Sequence, residues 1–237
     1  MEYLYLWLDL GSLSIPFLVS FHPKLQFHKK WRSLFPAIAI MMAFFIPWDS
    51  AFTQNGFWGF NETYVTGYKI FSLPIEEWLF FICIPYACLF THYSVAYLFP
   101  KIPFSEKTTN IIYTLLMTLL LGGLIYNYDR WYPLVNFSYA ILLLGFVYNY
   151  KRPLLAQFLP TFIIILIPFL LINGILTGTG IDDEVVWYLS SETMNIRILT
   201  IPIEDSIYAL SMLLTVFVLT EYFENRFQKS GLLEKNH

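Results

Sequence analysis

The chain has 237 residues, of which 57% are apolar, 20% aromatic and only 13% charged. Soluble domains carry about 25% charged residues, so this composition excludes an ordinary water-soluble globule and makes lipid the main solvent. The net charge of -3 identifies no partner, since in a membrane protein the placement of charges matters more than their sum, and no nucleic-acid partner is expected.

A spanning helix needs about 20 mostly apolar residues. Seven such segments are predicted: Tyr3–Phe21, Ser33–Phe52, Leu73–Leu98, Asn110–Tyr126, Pro133–Tyr150, Pro153–Leu176 and Thr200–Phe223. The first has neither a basic leader nor a small-residue cleavage site, so it is expected to stay in place as a helix. His22-Pro23, Asn55-Gly56, Pro100 with Pro103, Asp129 and Thr177-Gly178-Thr179-Gly180 supply the turn residues between segments. Cys83 and Cys88 share one predicted helix. They form neither a disulfide framework nor a zinc site and read as small packing residues.

Lys and Arg set the orientation. One side collects Lys24, Lys29, Lys30, Arg32, Lys101, Lys107, Lys151, Arg152, Arg226, Lys229 and Lys235, and the other only Lys69, Arg130 and Arg197. The amino terminus is therefore expected outside and the carboxyl terminus in the cytoplasm, across the cytoplasmic (inner) membrane.

One stretch occurs twice. Lys69-Ile70-Phe71-Ser72-Leu73-Pro74-Ile75-Glu76-Glu77 is matched position by position by Arg197-Ile198-Leu199-Thr200-Ile201-Pro202-Ile203-Glu204-Asp205. The predicted topology runs helices three and seven in the same direction, so both acidic pairs fall at one depth towards the outer face. The fold expected is an all-α integral membrane protein of seven transmembrane helices. Two parallel three-helix repeats, over 1–108 and 133–237, flank a connector over 109–132, about an axis along the membrane normal. Residues 57–68 and 185–196 extend the match weakly, placing Tyr188 at the offset of Phe60.

Ionisable groups at membrane depth are costly and default to a functional hypothesis. Glu76 and Glu204 rank first for proton transfer, followed by Glu77 and Asp205 as proton acceptor or neighbour. The plainer reading is a helix start, because proline is favoured in the first turn and acids there suit the helix dipole. No capping box fits, since the residue three after Ser72 is Ile75. Lys69 and Arg197 read as interfacial anchors, with ion pairing to the acids as the alternative. Asp9, Asp49 after Trp48, Asn136 and Asn173 fall in the same outer layer, and Asn61 and Asn173 are able to orient carboxyl groups. Phe80 and Tyr208 belong first to an interfacial aromatic belt, though such rings also stabilise cations through their faces.

There is no G-x-G-x-x-G after a strand, no phosphate loop and no H-E-x-x-H. His22, His28, His92 and His237 are scattered, so neither a cofactor nor a metal is expected. A retinal-type photoreceptor needs a lysine within its last helix, and Thr200–Phe223 has none. A proton-coupled carrier of three-plus-one-plus-three helices is the alternative from another class. It needs a water-lined path, whereas the inner halves here are nearly unbroken apolar runs.

Phe21-His22-Pro23-Lys24-Leu25, Trp48-Asp49, Trp58-Gly59-Phe60-Asn61, Thr66-Gly67, Leu73-Pro74-Ile75-Glu76-Glu77 and Pro202-Ile203-Glu204-Asp205 resemble the membrane-integral lycopene β-cyclases of bacteria, archaea and fungi. The likeness covers essentially the whole chain, as two halves fused, and is more specific in the first. Leu189 stands where Asn61 would recur, so a role for that Asn is not shared by both halves. The resemblance implies cofactor-independent, acid-catalysed closure of the open ends of lycopene and related carotenoids to β-ionone rings. Such a reaction needs a neutral carboxylic acid, a carboxylate to take a proton back, and a dry aromatic pocket that tolerates a cation.

Overall fold

The computed structural model describes residues 2–234, with side chains described through residue 229. Lys235 and His237, counted above, lie outside the described residues. The chain is mostly helical: α1 Leu4–Val19, α2 Trp31–Gln54, α3 Ile75–Leu98, α4 Glu106–Tyr126, α5 Trp131–Leu176 and α6 Ile203–Glu234. Five of these, α2 to α6, are long and apolar enough to cross a membrane, while α1 is a shorter apolar helix.

The fifth and sixth predicted segments form one 46-residue element, broken at Lys151, whose φ of -143° and ψ of 34° are not helical. The cause lies two residues on. Pro153 has no N–H to donate to the carbonyl of Asn149 and crowds the preceding turn. The two halves of α5, 131–150 and 152–176, therefore pack on different partners. Asn136 and Tyr139, before the break, touch α6, whereas Thr161 and Phe158, after it, touch His92 of α3.

Helices α3 and α6 begin later than the sequence predicts, at Ile75 and Ile203, with Pro74 as the N-cap of α3 instead of its first residue. The residues before them are used otherwise. Lys69–Ile70 (β2) pairs antiparallel with Leu73–Pro74 (β3), and Arg197–Ile198 (β5) with Ile201–Pro202 (β6). In the first hairpin Phe71 and Ser72 both have positive φ (51° and 68°), as a two-residue turn that follows strand twist requires. The duplicated motif is thus a hairpin leading directly into a helix.

The halves meet on a third ladder. Trp58–Phe60 (β1) and Val186–Tyr188 (β4) pair antiparallel, with Trp58 opposite Tyr188, Gly59 opposite Trp187 and Phe60 opposite Val186. Residues at matching positions of the two repeats pair reciprocally, the signature of a local two-fold axis through Gly59 and Trp187. The flanking bonds repeat it: Asn61 N–H donates to Val185 O at 2.9 Å and Leu189 N–H to Phe57 O at 2.8 Å. Gly59 is required here, because a Cβ on it would lie 2.4 Å from the Trp187 ring. Helix packing interlocks the halves as well. α1 packs on α3 and the first half of α5 on α6, while α2 crosses to α6 and the second half of α5 to α3.

Candidate active site

Each duplicated motif opens a helix with two adjacent acids, and consecutive helical residues point about 100° apart. The two acids of a pair must therefore face different surroundings. Glu76 and Glu204, fully buried, turn back to the loops that precede them. Glu76 Oε1 accepts from the Thr66 N–H at 2.7 Å, and Glu204 Oε1 from the Met194 N–H at 2.5 Å. They clamp the loops over the hairpins by satisfying loop amides that are partly buried.

Glu77 and Asp205 turn inward and line one small cavity of about 60 Å³. Glu77 Oε2 accepts from the Tyr5 hydroxyl at 2.5 Å, and Asp205 Oδ1 from the Tyr132 hydroxyl at 2.6 Å. Tyr5 precedes Asp9 by four residues, as Tyr132 precedes Asn136. That matched Tyr-x-x-x-Asp/Asn spacing was legible in the sequence, yet Tyr5, Tyr132 and the cavity-lining Phe169 are missing from the candidates drawn from it.

A further polar residue near each acid breaks the symmetry. Asp49 lines the cavity together with Glu77; its Oδ1 accepts from the Trp58 indole N–H at 2.6 Å, and its Oδ2 has no hydrogen-bond partner among the described residues. Two buried carboxyl groups on one cavity wall, with no cation paired to either among the described residues, disfavour double ionisation and so favour keeping one proton between them. At the matching place in the other half, Asn173 Nδ2 donates to Asp205 Oδ2 at 2.7 Å. The Tyr188 hydroxyl adds a third bond to Asp205 at 3.0 Å. Burial and the Asp205 charge push the Tyr188 phenol well above its ordinary value, so it stays a donor. Three donors bond Asp205, an arrangement suited to a carboxylate; the first half instead places two acids, Asp49 and Glu77, on the cavity wall.

The other predicted residues divide. Asp49, Asn173, Phe80 and Tyr208 line the cavity with Glu77 and Asp205. Trp48 packs behind it, its ring 5.0 Å from that of Tyr208. Asn61 is used locally, its Oδ1 accepting from the Thr63 N–H at 3.0 Å. Asp9 is buried with neither carboxyl oxygen partnered among the described residues. At its counterpart, Asn136 Nδ2 donates to the Glu204 carbonyl at 2.8 Å. Neither motif cation pairs with the acids: Lys69 reaches Glu62 at 2.5 Å, and Arg197 the Thr200 carbonyl at 2.5 Å. Among the described residues no group of three or more His, Cys, Asp or Glu is arranged to hold a metal ion.

The cavity is walled by rings. Trp58, Phe60, Phe80, Phe169 and Tyr208 line it, and the Trp58 ring lies edge-on to Tyr132 at 5.1 Å. Such a space has acids on its surface and offers aromatic faces to a positive charge.

Comparison with known proteins agrees with the resemblance read from the motifs. The sequence model of the lycopene cyclase family matches residues 2–95 and 129–223, leaving out the stretch that holds α4. A protein of Aspergillus niger named bifunctional lycopene cyclase/phytoene synthase is 26% identical over 188 residues, 73% of this chain and 31% of that protein. The chain thus spans about a third of that relative's length. No solved structure matches. With most of its length matched in two stretches, the chain belongs to the lycopene cyclase family.

Proposed function

We propose that this protein is a lycopene β-cyclase that converts the open end groups of lycopene to β-ionone rings by acid–base catalysis without a cofactor. On this reading it is an intramolecular lyase among the isomerases. It sits in the cytoplasmic membrane with seven spans, the break at Lys151 dividing α5 into two. The amino terminus is outside, and two three-helix repeats flank the connector α4.

The observation that carries the reaction is the unlike surroundings of two matched carboxyls on one aromatic-lined cavity: Glu77 shares its wall with a second acid, Asp49, and Asp205 is bonded to three donors. The Asp49–Glu77 pair gives its proton to the terminal alkene of the end group, leaving a tertiary cation. The internal double bond closes onto that cation and forms the ring bond. The new cation loses a ring proton to a carboxylate, for which Asp205 is the base already held in place. One proton enters and one leaves, with no change of oxidation level. Neighbouring acids in unlike surroundings divide the roles of donor and acceptor. Phe80, Phe169 and Tyr208 supply faces for the cation, and their bulk keeps water from capturing it. A carrier would need a wet path along the axis, but the residues that follow the acids on α3 and α6, such as Ile84 and Phe217, are buried and apolar.

Expression in a lycopene-accumulating bacterium, followed by pigment extraction, tests the proposal. The parent should form β-rings and Glu77→Gln should not. A well-expressed parent that leaves lycopene unchanged would overturn the function, and full activity in Glu77→Gln would overturn the assignment of the proton source.

A further inference from the structure

The acid cavity, at about 60 Å³, has room for only a few water molecules, so the long apolar remainder of any polyene must lie elsewhere. An apolar groove of about 400 Å³ runs between α1, α3 and the second half of α5. It shares Phe80, Phe169 and Asn173 with the acid cavity, so those residues are a common wall between the two. Its rim carries the exposed side chains of Ile15 and Leu171, which places its mouth on the lipid-facing side of the bundle. A larger apolar groove of about 680 Å³ lies along α2, with Trp78 and Phe71, but none of its lining residues reaches the cavity.

The internal repeat shows that the groove is open on one side of the molecule only. Matching Tyr5 with Tyr132 pairs Ser12 with Tyr139, and matching Glu77 with Asp205 pairs Ala87 with Thr215. In the second half the Tyr139 hydroxyl and Thr215 Oγ1 hydrogen-bond at 2.7 Å across the corresponding space. Phe44 stacks on Tyr139 at 4.9 Å, and Phe45 meets it edge-on at 5.5 Å. Pro168 stands where Phe44 would recur if Asp49 is matched with Asn173. Aromatic side chains thus fill the symmetry-related groove, while Ser12, Ala87 and Pro168 leave this one empty.

We propose that the groove between α1, α3 and the second half of α5 holds the polyene chain of the substrate and is its lateral entrance from the membrane. One end group would then pass between Phe80 and Phe169 to the Asp49–Glu77 pair. This rests on the cyclase reading above. It gives the molecule a single entrance, on the side where the proton pair sits. The occupant is a rigid, fully apolar isoprenoid rod, because the polar side chains of the lining are few: Asn173, whose amide is bonded to Asp205, and Ser12 and Thr91. The hydroxyl of each is bonded to the carbonyl of its own helix, at 2.7 and 2.9 Å.

The test fills the groove without touching the acids. Gly11 lines it, and a Cβ built there meets nothing within 4 Å, so Gly11→Phe is expected to fold. The double variant Ser12→Tyr with Ala87→Thr transplants the plug of the second half. Leu119→Phe, on the exposed side of α4, is the control. Cyclisation is measured in liposomes over a series of lycopene concentrations, with rates normalised to folded protein. Both groove variants should raise KM by about tenfold with kcat little changed, as loss of uniform binding predicts, and the control should match the parent. Parental KM in Gly11→Phe would overturn the groove, as would a fall in kcat alone, and the cyclase reading would stand. Absence of β-rings from the parent would bring down that reading itself.

Discussion

The two halves of the molecule carry the same hairpin, the same helix start and the same loop clamp, yet differ at two polar positions beneath them. Asp9 and Asp49 in the first half face Asn136 and Asn173 in the second. An amide in place of a carboxyl keeps size and hydrogen bonding but cannot give up a proton. The repeat provides a symmetric frame with two inward acids, and the Asn of the second half suits one of them to the carboxylate role in the proposed reaction. Two identical acids on one cavity would have to divide the roles by sharing a proton, whereas unlike surroundings fix which one donates and which accepts.

The largest effects are expected where the comparison is broken outright. Glu77→Gln and Asp205→Asn should each lower cyclisation by about 100-fold or more, the range of a general acid or base, measured as β-ring formation per folded protein. Asp49→Asn is the more informative change, because it rebuilds in the first half the Asn–acid pair of the second. Trp58 would still find an oxygen at 2.6 Å, so the fold should hold. The shared proton would be gone, and activity should fall about as far as in Glu77→Gln. An Asp49→Asn enzyme of parental activity would show that Glu77 needs no second carboxyl.

A smaller effect is expected from the tyrosines. Tyr5→Phe and Tyr132→Phe each remove one hydrogen bond to an inward acid, worth about 1.5–3 kcal/mol where the acceptor is charged. If Asp205 is the charged partner and Glu77 belongs to a proton-sharing pair, Tyr132→Phe should cost more activity than Tyr5→Phe. The ratio of the two losses is what to measure, and equal losses would argue against unequal halves.

The loop clamps should matter for stability more than for chemistry. Gln at position 76 or 204 keeps an oxygen for the Thr66 or Met194 amide, so Glu76→Gln and Glu204→Gln should stay within a few-fold of the parent. Glu76→Ala strands a buried N–H and should cost about 1–3 kcal/mol, seen as a lower midpoint of thermal unfolding. Loss of turnover in both Gln variants at normal abundance would return these two acids to the reaction.

That last contrast marks how far the sequence could be read. The doubled motif, the gathering of polar residues in one layer and the long apolar helices were all legible, because they rest on spacing and composition. Which acid of each pair faces the cavity was not. It depends on where the helix begins, and Leu73-Pro74 and Ile201-Pro202 were absorbed into hairpins instead of opening the helix. Consecutive helical residues point about 100° apart, so the spacing shows that the two acids of a pair face different ways but not which of them faces inward. The break at Lys151 came from Pro153, which the sequence displays, while the crossing of α2 to α6 is a tertiary fact with no local signal. Tyr5 and Tyr132 escaped notice because each reads as one more aromatic near an interface until the repeat is aligned four residues upstream of Asp9 and Asn136.

The smallest expected effect falls on the most conspicuous residue. Asp9 is buried and neither of its oxygens has a partner among the described residues, which by itself would invite a catalytic role. Its counterpart argues otherwise. Asn136 occupies the same place in the second half and donates to the backbone carbonyl of Glu204; a protonated Asp9 has one donor to offer the carbonyl of Glu76 in the same way. Asp9→Asn should therefore leave β-ring formation within about threefold of the parent and keep or raise stability, since an amide makes the bond without first having to be neutral. Asp9→Leu, which removes the donor, should lower the unfolding midpoint. If Asp9→Asn instead abolishes cyclisation at normal abundance, the proton supply of the first half must extend past Asp49 to a third carboxyl.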